Sequence, residues 1–140
     1  MSETISMSGK CLCGQVGISA DAIKHNLGAC HCHMCRKWGG GPLLAVESTG
    51  EVVIEGEEHI TRYDSSEWAE RAFCKHCGTH LFYRLKQNNM HAMPVGFFYN
   101  DDRLVFDHQI FIDEKPEYYA FVNDTKDLTG QEVFEMFSDM

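Results

Sequence analysis

Val16, Ile18 and Ala20 alternate with Gln15, Gly17 and Ser19, the period of two expected where one face of a strand is buried. Further apolar runs predict strands over residues 43–46, 52–55, 60–64, 81–83, 91–98 and 104–112, with a loop or another strand over 21–27. Polar and turn-forming residues separate them: Gly56, then Ser65-Ser66-Glu67, then Asn100-Asp101-Asp102. Gly39-Gly40-Gly41-Pro42 disfavours a continuing helix there and lets backbone approach a ligand closely. Thr129 and Glu132 fit a capping box for one short helix over residues 130–137, the single helix this pattern predicts. The class is therefore mainly β. Phe97, Phe98, Phe106 and Phe111 read as core, whereas Tyr118, Tyr119 and Phe121, following Lys115-Pro116, suit the mouth of a pocket.

A chain of 140 residues suffices for one domain with a real core, and with no linker, repeat or low-complexity stretch the reading is a single domain over 1–140. No apolar run approaches the length of a membrane span. The start, residues 1–9, lacks the basic and apolar regions of a secretory signal, which places the protein in the cytoplasm with its thiols reduced. A net charge of −9 argues against nucleic acid and anionic membranes as partners.

The seven cysteines carry the chemistry. An odd count in a reducing compartment points to metal ligation rather than a disulfide framework. They fall into three groups: Cys11-Leu12-Cys13, then Cys30-His31-Cys32-His33-Met34-Cys35, then Cys74-Lys75-His76-Cys77-Gly78. C-x-x-C-G before an apolar strand is a zinc-knuckle pattern, because a tight turn presents both sulfurs together and glycine supplies the positive φ that closes it. With Cys11 and Cys13 this pair completes a shell of four thiolates, leaving Cys30, Cys32 and Cys35 as a three-ligand set. Four ligands usually mean a structural zinc, and three plus an exchangeable position usually mean chemistry. Other divisions stay open: His31, His33 or His76 could close the three-cysteine site, and Cys74, Cys77 and His80 also have ligand-like spacing.

With these groups placed, the sequence resembles the glutathione-dependent formaldehyde-activating enzyme family. The matching residues are Gly9-Lys10-Cys11-Leu12-Cys13-Gly14 with Val16; Cys30-His31-Cys32-His33-Met34-Cys35-Arg36-Lys37; Arg71-Ala72-Phe73-Cys74-Lys75-His76-Cys77-Gly78 with Leu81-Phe82; and Ile110-Phe111-Ile112-Asp113-Glu114-Lys115-Pro116. The resemblance implies a zinc-binding, mainly β fold of the β-tent kind, here with a short C-terminal helix. It implies two zinc ions per chain, a structural one on Cys11, Cys13, Cys74 and Cys77 and a catalytic one on Cys30, Cys32 and Cys35. It further implies a carbon-sulfur lyase whose partners are a small thiol, glutathione, and a small aldehyde, formaldehyde, joined as S-hydroxymethylglutathione. Gln109 departs from the pattern, since many relatives carry histidine before the Ile-Phe pair.

Arg36 and Lys37, directly after the third cysteine, either attract a glutathione carboxylate or form a solvated surface. Two rival functions remain from the sequence: a non-catalytic zinc module whose β surface binds a protein, and a metal-free redox activity of Cys30, Cys32 or Cys35.

Overall fold

The computed structural model describes residues 4–138, with eleven strands and two α-helices among them. The mainly β class is the one expected. The chain forms two compact units, residues 1–25 with 46–103 and residues 26–45 with 104–140.

In the first unit, β1 (Thr4–Lys10) pairs antiparallel with β2 (Gly17–Lys24), and β2 pairs with β5 (Val52–Glu55). Ile5 and Met7 of β1 and Ile18, Ala20 and Ile23 of β2 are buried, so the alternation seen in the sequence does mark the inward face. Residues 4–10 carry only a faint strand pattern in the sequence, because serines, glycine and lysine dilute the apolar positions. A second set of strands forms a meander of β6 (Ile60–Tyr63), β7 (Ala69–Cys74), β8 (His80–Leu85) and β9 (His91–Pro94). Leu81 and Phe82 of β8 and Met93 of β9 are fully buried. The connections after Lys10 and after Cys74 are the two cysteine knuckles.

In the second unit, β3 (Asn26–Cys30) pairs antiparallel with residues 43–45, the start of β4 (Leu43–Ser48). Its other edge takes β10 (Val105–Ile110) in parallel, and β10 takes β11 (Lys126–Leu128), also in parallel. The register sets Ala29, Gln109 and Asp127 side by side, so these residues share a face. Residues 21–27 turn out to be strand on either side of a bend at His25.

The structure corrects the helix reading. Besides α2 (Gly130–Ser138), there is α1 (His33–Gly39) inside the three-cysteine segment. Seven residues are too few to show a periodic apolar stripe, and α1 is defined by its ends instead. Cys32 is its N-cap, with Sγ accepting the N–H of Cys35 at 3.3 Å, and Gly40 closes it by donating to the Arg36 carbonyl at 2.7 Å. The capping box of α2 forms as expected: Thr129 N–H donates to Glu132 Oε1 at 2.9 Å and Glu132 N–H to Thr129 Oγ1 at 3.2 Å.

Phe111 turns the chain after β10 with φ +54°, a left-handed conformation rare for a bulky residue. Its ring packs over Gly130, where a Cβ would lie 2.8 Å away, and edge-on to Phe134. This turn brings Asp113 Oδ1 to the Gly130 N–H at 2.8 Å and Glu114 Oε1 to the His33 N–H at 3.0 Å, so one short segment supplies an acceptor to the start of both helices. Of the phenylalanines expected in the core, Phe98 is buried, while Phe97, Phe106 and Phe111 are half-buried.

Candidate metal centres

Cys11 and Cys13 leave the β1–β2 connection and Cys74 and Cys77 the β7–β8 connection, and the four Sγ atoms converge within 4.8 Å of one another. Gly14 and Gly78 adopt φ +81° and +76°, the positive values that both knuckle turns require. Cys11 and Cys13 sulfurs lie 3.6 Å apart and Cys13 and Cys74 sulfurs 3.7 Å apart. These spacings are far longer than a disulfide bond of about 2.05 Å. They match the edge of about 3.8 Å of a tetrahedron built on zinc-sulfur bonds of about 2.3 Å. The group could hold a metal ion and is compatible with zinc.

Backbone donors surround these sulfurs. Val16 N–H donates to Cys11 Sγ at 3.3 Å, and Thr79 Oγ1 lies 3.1 Å from Cys77 Sγ. Thr79 Oγ1 also accepts the N–H of Leu12 at 3.1 Å, so its own proton is free to point at the Cys77 sulfur. The Thr79 hydroxyl lowers the Cys77 thiol to about 5, assisted by the backbone N–H groups of Thr79 and Cys13. For Cys13 the Gln15 N–H acts downward, but burial and the thiols of Cys11, Cys77 and Cys74 win and push it up to about 12. One sulfur that ionises readily beside one that resists is what a crowded thiol cluster does until a cation compensates the charge. Thr79 links the two knuckles, and no sequence signal marked it. Thr79→Val is expected to weaken metal retention about 10- to 100-fold, as loss of a group that orients ligands typically does, measured by competition with a chelator.

The second group lies at the end of β3 and in α1. Cys30, Cys32 and Cys35 bring their sulfurs within 4.8 Å of one another, so this set too could hold a metal ion. The thiols of Cys32 and Cys35, with burial, raise the Cys30 pKa far above that of a free thiol. Three thiolates at this spacing again call for a cation. Cys35 is buried, and Cys30 and Cys32 are half-buried. No histidine or carboxylate joins either group among the described residues.

The histidines go elsewhere. His31 is fully buried: its Nε2 lies 2.7 Å from Gln109 Oε1 and its Nδ1 2.8 Å from Tyr119 OH. Burial lowers its pKa. His33 is exposed beside Glu114, and His76 meets His59 at 2.8 Å. Tyr119 stacks on His31 with ring centroids 5.5 Å apart, Phe121 packs against both, and Tyr118 is exposed. Lys115 donates to the carbonyls of Pro116 and Tyr119 and lies over the Tyr119 ring. Arg36 uses Nε to hold the His31 carbonyl at 2.9 Å, so it is built into the site, whereas Lys37 is exposed.

A family model described as glutathione-dependent formaldehyde-activating enzyme matches residues 6–114. The chain belongs to this family. An uncharacterized lyase of Schizosaccharomyces pombe is 35% identical over 128 residues, covering 91% of this chain and 93% of its own length. A Halomonas elongata protein, named as a candidate enzyme of the same family, is 29% identical over 85 residues, 54% of each chain. In fold, the chain is similar to a crystal structure of a Rhodobacter sphaeroides protein, with TM-score 0.58 and 24% identity, covering 69% of this chain and 91% of that one. Both cysteine knuckles and the three-cysteine segment lie inside the family match, as do Thr79 and Gln109, while Tyr119, Thr125 and Asp127 lie beyond its end.

Proposed function

We propose that the protein is a zinc-dependent enzyme of carbon-sulfur lyase type that joins glutathione to formaldehyde, or cleaves the resulting S-hydroxymethyl adduct. In the forward direction the sulfur forms a bond to the aldehyde carbon, the carbonyl π pair moves to oxygen, and the thiol proton ends on that oxygen. Cys11, Cys13, Cys74 and Cys77 would hold a structural zinc, and Cys30, Cys32 and Cys35 a second zinc with a position left for a ligand. When bound, the second ion supplies the positive charge that favours the thiolate form of a thiol and polarises a carbonyl.

The chain's own residues do the rest. The observation that carries the reading is the convergence of three thiols in the segment that holds the fully buried His31, whose ring meets the half-buried Tyr119, within a family of enzymes. Arg36 and Lys115 place positive charge around His31 and Tyr119, which suits a thiol substrate that carries carboxylates. Phe121 and Tyr119 offer apolar surface for a methylene-sized aldehyde. Both thiol groups require reduced cysteines, as a cytoplasmic setting provides.

The test combines elemental analysis of zinc per chain, for wild type and Cys32→Ser, with adduct formation from glutathione and formaldehyde followed by NMR. The expected outcome is near two zincs for wild type, near one for the variant, and adduct formation above background only in the wild type. Two zincs with adduct formation no faster than without protein would leave the metal assignment standing and remove the formaldehyde function.

A further inference from the structure

Five side chains form a hydrogen-bonded line from the surface to the His31–Tyr119 pair. Asp127 is exposed, Thr125 and Tyr119 are half-buried, Gln109 is 5% exposed and His31 is 0% exposed. The distances along it are 2.6 Å from Thr125 Oγ1 to Asp127 Oδ1, 2.9 Å from Gln109 Nε2 to Thr125 Oγ1, 2.7 Å from Gln109 Oε1 to His31 Nε2, and 2.8 Å from His31 Nδ1 to Tyr119 OH. Parallel pairing of β10 with β11 produces the line, because it puts Gln109 opposite Asp127.

Counting protons gives each bond a direction. Asp127, as a carboxylate, only accepts, so it takes the single hydroxyl proton of Thr125. Thr125 oxygen can then only accept from Gln109, which makes the amide NH2 the group that faces it. The amide oxygen is left facing His31, and it too only accepts, so Nε2 of His31 carries the proton. A buried imidazole with no carboxylate partner is neutral, so Nδ1 holds the lone pair and Tyr119 donates to it. With its proton committed, the Tyr119 oxygen has only lone pairs to offer. The line does not conduct protons, because the Gln109 amide carries no ionisable proton; it orients.

We propose that Asp127, Thr125 and Gln109 are positioning residues that hold His31 as the Nε2–H tautomer and thereby make Tyr119 a hydrogen-bond acceptor for the hydroxyl of an S-hydroxymethyl adduct at the three thiols. The acceptor role rests on the proposed function; the tautomer does not. The adduct hydroxyl brings a hydrogen that such an acceptor can take, and Tyr119 OH lies 2.8 Å from Nδ1 of His31, the residue between Cys30 and Cys32. This also gives Gln109 a reason: an amide has one donor end and one acceptor end, so a threonine-carboxylate pair on one side dictates what it presents on the other.

The first measurement is the His31 tautomer by long-range proton–nitrogen correlation NMR on the zinc-loaded protein, which needs no activity. The Nε2–H form is expected in wild type and in Tyr119→Phe. Thr125→Val and Asp127→Asn, the latter at an exposed position where folding is not at stake, are expected to give a mixture of tautomers. The Nδ1–H or doubly protonated form in wild type, or an unchanged tautomer in folded Thr125→Val and Asp127→Asn, would overturn the positioning role. The second measurement is adduct cleavage by Tyr119→Phe. KM for S-hydroxymethylglutathione is expected to rise about tenfold, the worth of one hydrogen bond, with kcat within about twofold. An unchanged KM, or a loss confined to kcat, would overturn the acceptor role. A wild type that does not turn over the adduct, together with the expected tautomer pattern, would leave the positioning role standing and remove the proposed function.

Discussion

Cys74→Ser is expected to destabilise the whole protein, not only to empty a site. Cys74 is fully buried at the start of the second knuckle, 3.7 Å from the Cys13 sulfur of the first. A structural zinc on four thiolates contributes on the order of 10 kcal/mol to folding. That is comparable to the entire stability of a typical domain, about 5–15 kcal/mol. Loss of even half of it would lower the melting temperature by more than about 10 °C at roughly 2–4 °C per kcal/mol for a chain of this size. Thermal unfolding by circular dichroism, alongside zinc content, checks it. Cys32→Ser serves as the contrast, expected to lose its metal with a much smaller change in melting temperature. Equal effects of the two variants would sink the division into a structural and a catalytic centre.

The second large effect lies away from both centres. Glu70 on β7 has a side chain 9% exposed, held between Arg62 of β6, paired to Oε2, and Arg84 of β8, paired to Oε1 at 2.9 Å. Arg62 also reaches Glu57, and Arg84 reaches Asn89 at 3.0 Å. Removing the carboxylate leaves two part-exposed guanidinium groups without the acceptor they share. Glu70→Ala is therefore expected to cost about 1–3 kcal/mol, the usual penalty for removing one partner of part-buried hydrogen bonds. Denaturant unfolding measures it. The hydrogen bond from Arg84, and after it that from Arg62, holds the Glu70 carboxyl below its ordinary value, even though burial acts the other way. A carboxylate with a depressed folded pKa contributes stability that is full above the unfolded value, near 4.5, and is lost as pH falls through the lower folded value. Glu70→Gln should flatten that acid limb, and an unchanged limb would show that the network does not govern acid unfolding.

The cysteine spacing was the most informative stretch of sequence. C-x-C, C-x-x-C-G and C-x-C-x-x-C each constrain a few adjacent residues to present sulfur in one direction, so spacing favours a division into four and three while leaving histidine-containing sets open, and the structure brings the four and the three together. Thr79 carries no signal in the sequence because its importance comes from bonding Leu12, 67 positions away in the other knuckle. Gln109 registered only as a departure from a family pattern; its partners Thr125 and Asp127 carry no motif at all. The helix α1 hid for a different reason, since its N-cap is a cysteine thiol rather than the usual hydroxyl or carboxylate.

What the sequence determined by itself was therefore local: the mainly β class from alternation, the C-terminal helix from Thr129 and Glu132, and the thiol groups from their spacing. Tertiary structure decided which distant strands became neighbours. Parallel pairing of β3, β10 and β11 cannot be read from any one of them, because parallel strands are joined by long connections and their register depends on packing rather than on a turn. That register sets Gln109 beside Asp127, and with it decides which nitrogen of His31 carries the proton.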